Sequence, residues 1–191
     1  MSTDLIRLSV VIASTREGRF GPTVATWFVE QVERRDDVLV DVIDLAQARL
    51  PTELSASPGR PEAVGGLAER LAAADAFVIV TPEYNHSYPA SLKNAIDWFR
   101  TEWQAKPVAF VSYGGLAGGL RAVEHLRHVF AELHAVTIRD TVSFHTAWER
   151  FDGGGPIDPG PAEAAATTMM ERLLWWARAL RTARSASPYA A

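Results

Sequence analysis

Three short stretches of the chain gather residues able to do chemistry. The first, STREGRFGPT, runs from Ser14 to Thr23 and feeds into a helical pattern. A helix start offers unpaired backbone N–H groups and a positive dipole end. Here Ser14, Thr15 and Thr23 add hydroxyls, while Arg16 and Arg19 add charge and forked donors. This is chemistry for a phosphate. It does not come from a P-loop or a dinucleotide fingerprint, because neither GxxxxGK[ST] nor a G-x-G-x-x-G after the first apolar run is present.

The second stretch, TPEYNHSYP, is stiffened by Pro82 and Pro89. Asn85, Ser87 and the backbone between them supply the mixed donors and acceptors that the edge of a flat heterocycle requires, and Tyr84, His86 and Tyr88 can flank such a ring. The third, SYGGLAGGLR, carries four glycines that let backbone N–H groups approach a ligand and stabilise negative charge on it. Ser112 is outside any G-x-S-x-G elbow, so serine-hydrolase chemistry is excluded. His125 and His128 have the spacing of a metal pair, yet nothing completes a ligand set, and they read as surface or packing histidines. No metal is expected, and with no cysteine there is neither a thiolate site nor a cysteine nucleophile.

The elements that must position these loops follow from periodicity. Apolar, β-branched runs mark strands at Ile6 to Ala13, Val38 to Asp44, Ala76 to Thr81, Pro107 to Tyr113 and Val136 to Phe144. Between them Val24, Phe28 and Val32 recur at helical spacing, as do Val64, Leu67 and Leu71, then Leu92, Ile96 and Phe99, then Leu120, Val123 and Leu126. Nearly continuous runs such as FVIV and VAFV suit a parallel sheet covered on both faces. The expected fold is therefore α/β, a doubly wound five-stranded parallel sheet of order 2-1-3-4-5 with helices on both faces. In that order the loops after strands 1, 3 and 4 meet beyond the carboxyl ends of the strands, and these are the three stretches above. A single domain is expected over residues 1–184. Within it PTELSASPGRP forms a loop, a Gly/Pro-rich loop spans Asp152 to Pro161, and a last helix runs from Ala162 to Arg184; residues 185–191 are expected to form a disordered tail. Trp175 and Trp176 are read as core and rim packing on that helix.

The net charge of −4 and pI near 5.7 leave no broad basic face, which argues against nucleic acid as a partner. No stretch of about 18 apolar residues is present and no leader pattern precedes the first strand. A membrane partner is not expected, and the absence of cysteine fits the cytoplasm.

Taken together, STREGRFGPTVATW, TPEYNHSYPASLKNAIDW and SYGGLAGG resemble the NADPH-dependent FMN reductase family within the flavodoxin-like fold, with PEYN followed by LKNAIDW the most specific part. The likeness extends to about Phe144. It implies an enzyme that transfers hydride from NAD(P)H to FMN and on to free flavin, quinone or another small acceptor. FMN is then the cofactor and NAD(P)H the donor, and no side chain acts as the catalytic group. Ser14, Arg16 and Thr23, with Arg19, Phe20 and Gly21 of the same loop, would hold the FMN phosphate. Pro82, Glu83, Tyr84 and Asn85, with Tyr113, Gly114 and Gly115, would contact the ring. Phe20-Gly21-Pro22-Thr23 departs from the Ser-Phe-Asn run of many relatives. Glu83, ahead of a helix start, reads as a structural or intersubunit charge rather than a base. The resemblance also implies a homodimer or homotetramer, and Trp98 and Trp103, which fall off the Leu92, Ile96, Phe99 stripe, would leave aromatic area for such an interface unless a neighbouring loop covers them. The alternative reading is a non-enzymatic FMN-binding electron carrier, whose usual strong acidity the charge of −4 does not reach. A signalling receiver on the same fold would need acidic residues where Ala13-Ser14 and Thr81-Pro82 stand.

Overall fold

The computed structural model describes residues 5–53, 62–153 and 155–190. Most of the PTELSASPGRP loop, residues 54–61, lies outside that range. Element order is β1 (Ile6–Ile12), α1 (Gly21–Glu33), β2 (Val38–Asp44), α2 (Leu45–Ala48), α3 (Glu62–Ala73), β3 (Ala76–Pro82) and α4 (Ala90–Trp98). It continues with β4 (Pro107–Gly114), α5 (Leu120–Glu132), β5 (Val136–His145), α6 (Ala147–Arg150), β6 (Phe151–Asp152), β7 (Gly155–Pro156) and α7 (Pro159–Ala186). Strands β1 to β5 form one parallel sheet of order β2-β1-β3-β4-β5, as the sequence predicts, and β6 and β7 make a small antiparallel pair.

Strand side chains alternate between two cores. Ile6, Leu8, Val10 and Ile12 of β1, Ala76, Val78 and Val80 of β3, and Ala109, Val111 and Tyr113 of β4 pack under α1 and α7. Val11, Phe77, Ile79, Val108 and Phe110 point the other way, under α3, α4 and α5. Both faces are buried because both are covered, which is why the central strands read as unbroken apolar runs.

Several aromatic expectations change. Trp103 is buried, its ring centroid 4.6 Å from Phe77 and 5.4 Å from Phe130. Trp98 is half-buried and donates its Nε1–H to the Pro51 carbonyl at 2.8 Å. Trp103 leaves no aromatic area for an interface, because the segment after α4 folds back over the second core, and Trp98 is partly covered beside Pro51. Conversely Trp175 and Trp176 are not core: they are 63% and 37% exposed, stacked edge to face at 5.2 Å on the outer side of α7. That helix buries Ala166, Met169, Met170, Leu173, Leu174 and Ala177 instead. It begins at Pro159 and ends at Ala186, so residues 185 and 186 of the expected tail are helical, and beyond them the Tyr189 hydroxyl lies 2.8 Å from His134 Nδ1.

Candidate functional site

Parallel pairing brings the carboxyl ends of β1, β3 and β4 side by side, and hydrogen bonds between the strand ends fix the turns that follow. Ala13 N donates to Val80 O at 2.9 Å, Glu83 N to Tyr113 O at 3.1 Å, and Ser91 Oγ to Ala13 O at 2.7 Å. The three predicted loops therefore leave the sheet side by side at its carboxyl edge.

In the first loop Ser14 is fully buried, and its hydroxyl lies 3.2 Å from the Tyr113 hydroxyl. Burial holds the Tyr113 phenol protonated well above its ordinary range, with the Ser14 hydrogen bond opposing only in part. Gly21 lies directly over this pair. A Cβ there would approach Ser14 Oγ to 2.6 Å and Tyr113 Oη to 2.9 Å, so any side chain at the position would displace this pair. Phe20 turns its ring inward, edge-on to Tyr113 at 6.0 Å and to Phe151 at 5.2 Å. Its backbone forms the N-cap of α1 with no side-chain cap, and Pro22 occupies the first turn. The N–H groups of Gly21 and Thr23 consequently have no intrahelical acceptor.

The two arginines of this loop part company. Arg19 grips Asp44 with both guanidinium nitrogens, at 2.7 and 2.6 Å, and donates to Ser14 O at 2.9 Å. The hydrogen bond to Asp44 holds its pKa above the usual arginine value. Asp44 ends β2 and also accepts from Ala46 N at 3.1 Å as the N-cap of α2. The fork expected to face a phosphate is thus engaged inside the protein, fastening the loop to the sheet edge. Arg16 is exposed, its guanidinium carbon 5.6 Å from the Tyr84 ring centroid, and it makes no ion pair among the described residues.

In the second loop Tyr84 N donates to Ser87 O at 2.8 Å and Ser87 N to Tyr84 O at 3.0 Å. Between them Asn85 and His86 adopt φ of 49° and 69°, the two left-handed residues of a mirror-image two-residue turn. Asn is among the few side chains that accept that conformation readily, so its place in the motif is a backbone requirement as well as a chemical one. Pro82 is buried at the end of β3, opposite Tyr113. Glu83 turns away from the crevice. Its carboxylate accepts from Arg121 Nη1 at 2.6 Å and from Arg121 N at 3.2 Å, capping α5 within the same chain. Ser87 Oγ lies 3.0 Å from His125 Nδ1, a second tie between this turn and α5. Among the described residues no cluster of three or more His, Asp or Glu is arranged to hold a metal ion.

In the third loop Gly118 and Gly119 take φ of 58° and 88°, and a Cβ on either would lie within about 2.6 Å of Ser143, His145 or Ser112. The Gly118 carbonyl accepts both Ser112 Oγ and Ser143 Oγ at 2.8 Å. Gly114 packs against Gly119 N and Glu83, while Gly115 O accepts from Thr146 N at 3.0 Å. The only neighbour within 4 Å of a Cβ built at Gly115 is Trp148 Cη2, at 3.4 Å, and Trp148 itself is 61% exposed.

Sequence reasoning missed Asp44, Arg121 and Trp148. Their roles depend on neighbours 25 to 38 positions away, or on the 4-residue α6, none of which leaves a local pattern.

Comparison with known proteins agrees with this geometry. The family model for NADPH-dependent FMN reductase matches residues 6–149. An NAD(P)H-dependent FMN reductase of Schizosaccharomyces pombe is 39% identical over 132 residues, which span 64% of this chain and 64% of that protein. A quinone reductase of Escherichia coli is 32% identical over 143 residues, 71% of this chain and 75% of that protein. The structure of a flavoenzyme NAD(P)H:(acceptor) oxidoreductase from Paracoccus denitrificans superimposes with a TM-score of 0.73 at 24% identity, covering 91% of this chain and 98% of that one.

Proposed function

The chain belongs to the NADPH-dependent FMN reductase family, and on that premise we propose that it is an FMN-dependent NAD(P)H oxidoreductase acting on free flavin, quinone or another small acceptor. The observation that carries the reading is the donor set on the crevice: the uncapped first turn of α1 and the unpaired Arg16 at one end, the Asn85 turn and the Gly114-Gly115 backbone at the other. A phosphate fits the first and a flat, polar-edged ring the second. When bound, FMN supplies the redox chemistry, accepting hydride from NAD(P)H and passing electrons to the acceptor.

The residues of the chain bind and orient. The N–H groups of Gly21 and Thr23, the Thr23 hydroxyl and Arg16 hold the phosphate. Ser14, Gly21 and Tyr113 form the tightly packed floor that sets how deep the ligand sits, and Arg19 holds the loop closed through Asp44. Asn85 offers its amide to the ring edge, and the Gly114 and Gly115 N–H groups stabilise negative charge on the reduced ring. Glu83 and Pro82 shape the wall through the backbone. Trp148 presents an aromatic face beside Gly115 against which a planar acceptor stacks.

Purified protein loaded with FMN and mixed anaerobically with NADPH or NADH tests the reading. Bleaching of the yellow flavin band supports the oxidoreductase, whereas a colour stable to both nucleotides leaves only an electron carrier.

The working assembly we propose is a homodimer or homotetramer in the cytoplasm. Exposed Trp175 and Trp176 support association and the cysteine-free sequence supports the compartment; light scattering of the purified protein reads the mass. No helix among the described residues is long and apolar enough to cross a membrane.

A further inference from the structure

Beside the phosphate-gripping loop, on the α4 side of the sheet, lies a second cavity of about 510 Å³. Thr15 of the first loop, Leu45, Arg49 and Leu50 around α2, and Ser91 and Asn94 of α4 line it. Its wall continues that of the crevice, since Thr15 sits between Ser14 and Arg16 and Ser91 lies in the first turn of the helix that follows the second loop. The lining holds one cation and no carboxylate. Ser91 and Asn94 donate to the backbone, to Ala13 O and Pro51 O, which leaves the Asn94 carbonyl oxygen unengaged among the described residues. Arg49 has no hydrogen bond or ion pair among the described residues, in contrast to Arg19 and Arg70, which grip Asp44 and Asp41 nearby.

The backbone at Arg49 adds to this. It stands at the C-cap of α2 with φ 47° and ψ 40°, the left-handed conformation that favours glycine at a helix end. A long cationic side chain occupies a position where its own backbone is disfavoured, and it lines a cavity whose lining among the described residues holds no partner for it.

Apolar walls of leucine and alanine, neutral hydrogen-bonding groups and one unpaired guanidinium match a purine nucleoside that carries an extra phosphate. We propose that this cavity receives the adenosine end of the nicotinamide donor and that Arg49 engages its 2′-phosphate, so that the protein prefers NADPH to NADH. The inference rests on the reductase reading and locates a part of the donor that lies away from the ring. A guanidinium binds a phosphate through paired, charge-assisted hydrogen bonds, and a 2′-hydroxyl offers it no such partner.

The test titrates FMN-loaded protein by calorimetry with 2′,5′-ADP and with 5′-AMP, and measures flavin reduction by NADPH and NADH. The native protein is expected to bind 2′,5′-ADP about tenfold or more tightly than 5′-AMP, the usual worth of a charged hydrogen bond. Arg49→Gln is expected to abolish that difference and to lower the NADPH-over-NADH ratio of kcat/KM by about the same factor. Arg49→Gly guards against a folding artefact, because it relieves the left-handed backbone and should melt no lower than the native protein while losing the same preference. Equal binding of the two probes by the native protein overturns the proposal. So does an unchanged ratio in both variants, or a loss of preference accompanied by a change in particle mass, which would make Arg49 an assembly contact. If neither nucleotide bleaches the flavin, the reductase reading fails separately, and the two-probe titration still decides whether Arg49 recognises a 2′-phosphate.

Discussion

At the amino ends of the strands, Asp75 accepts from Arg7 N at 3.1 Å, from Arg181 at 3.2 Å and from Arg184 at 3.3 Å, while Arg184 also donates to Ala105 O at 2.6 Å. Buried Lys106 sits beside them and donates to Leu71 O and Ala72 O, both at 2.9 Å, closing the end of α3. At the carboxyl ends, Arg16, the first-turn N–H groups of α1 and the Asn85 side chain have no such partners among the described residues. Both ends use arginine, yet at one Asp75 closes on Arg181 and Arg184, and at the other Arg16 makes no ion pair among the described residues. Charge in a parallel α/β domain is thus structural where the donors and acceptors close on each other and functional where they do not.

Substitutions at the two ends should therefore separate stability from binding. The largest effect is expected at the closed end. Asp75→Ala leaves Arg181 and Arg184 without their shared carboxylate and should lower unfolding free energy by about 2–4 kcal/mol. Urea denaturation reads this, and FMN affinity of the folded fraction should stay the same. A parallel loss of FMN affinity would break the contrast.

Lys106 gives a comparable effect through pH. Burial is the main cause that pushes its amine down to about 8, below the ordinary lysine range. Its charged form is disfavoured in the fold, so its stabilising contribution is complete only above the unfolded value near 10.4 and is lost as pH falls through about 8. Between pH 7 and 10 this group alone should raise stability by roughly 2–3 kcal/mol. Thermal unfolding across that range should show the rise in the native protein and a smaller one in Lys106→Met.

At the open end, Arg16→Ala should weaken FMN binding by roughly 1.5–3 kcal/mol while leaving the melting temperature where it was. A flavin fluorescence titration measures it, and unchanged affinity removes Arg16 from the site. The smallest effect belongs to Trp148→Ala. Loss of one aromatic stack should raise the KM for a naphthoquinone by about two- to tenfold, with FMN affinity and the rate of flavin reduction by NADPH preserved. An unaltered KM would show that Trp148 faces something other than the acceptor.

The central strands were legible because burial on both faces leaves an unbroken apolar signature, and their order followed from the commonest five-strand topology. Loop positions followed from those strands. What stayed hidden was which polar side chain closes on which. Arg19 and Arg16 look alike in sequence, and only the arrival of Asp44 at the end of β2 makes one a fastener, while the other has no ion pair among the described residues. Glu83 was legible as structural but not its partner, since Arg121 lies 38 residues on. Trp98 and Trp103 misled because helical periodicity has no information about a segment that folds back over a helix end. The short α2 and α6 and the β6–β7 pair have too few residues to show any period.

The sheet divides the hydrophobic interior in two, with α1 and α7 on one side and α3, α4 and α5 on the other. The loop proposed to hold phosphate leads into α1 on the first side, and the loops proposed to hold the ring lead into α4 and α5 on the second. On the proposed reading, repacking beneath α4 and α5 reshapes the ring side while the core under α1, next to the phosphate loop, keeps its packing. A lineage of such enzymes can drift from one electron acceptor to another without ever losing its cofactor along the way.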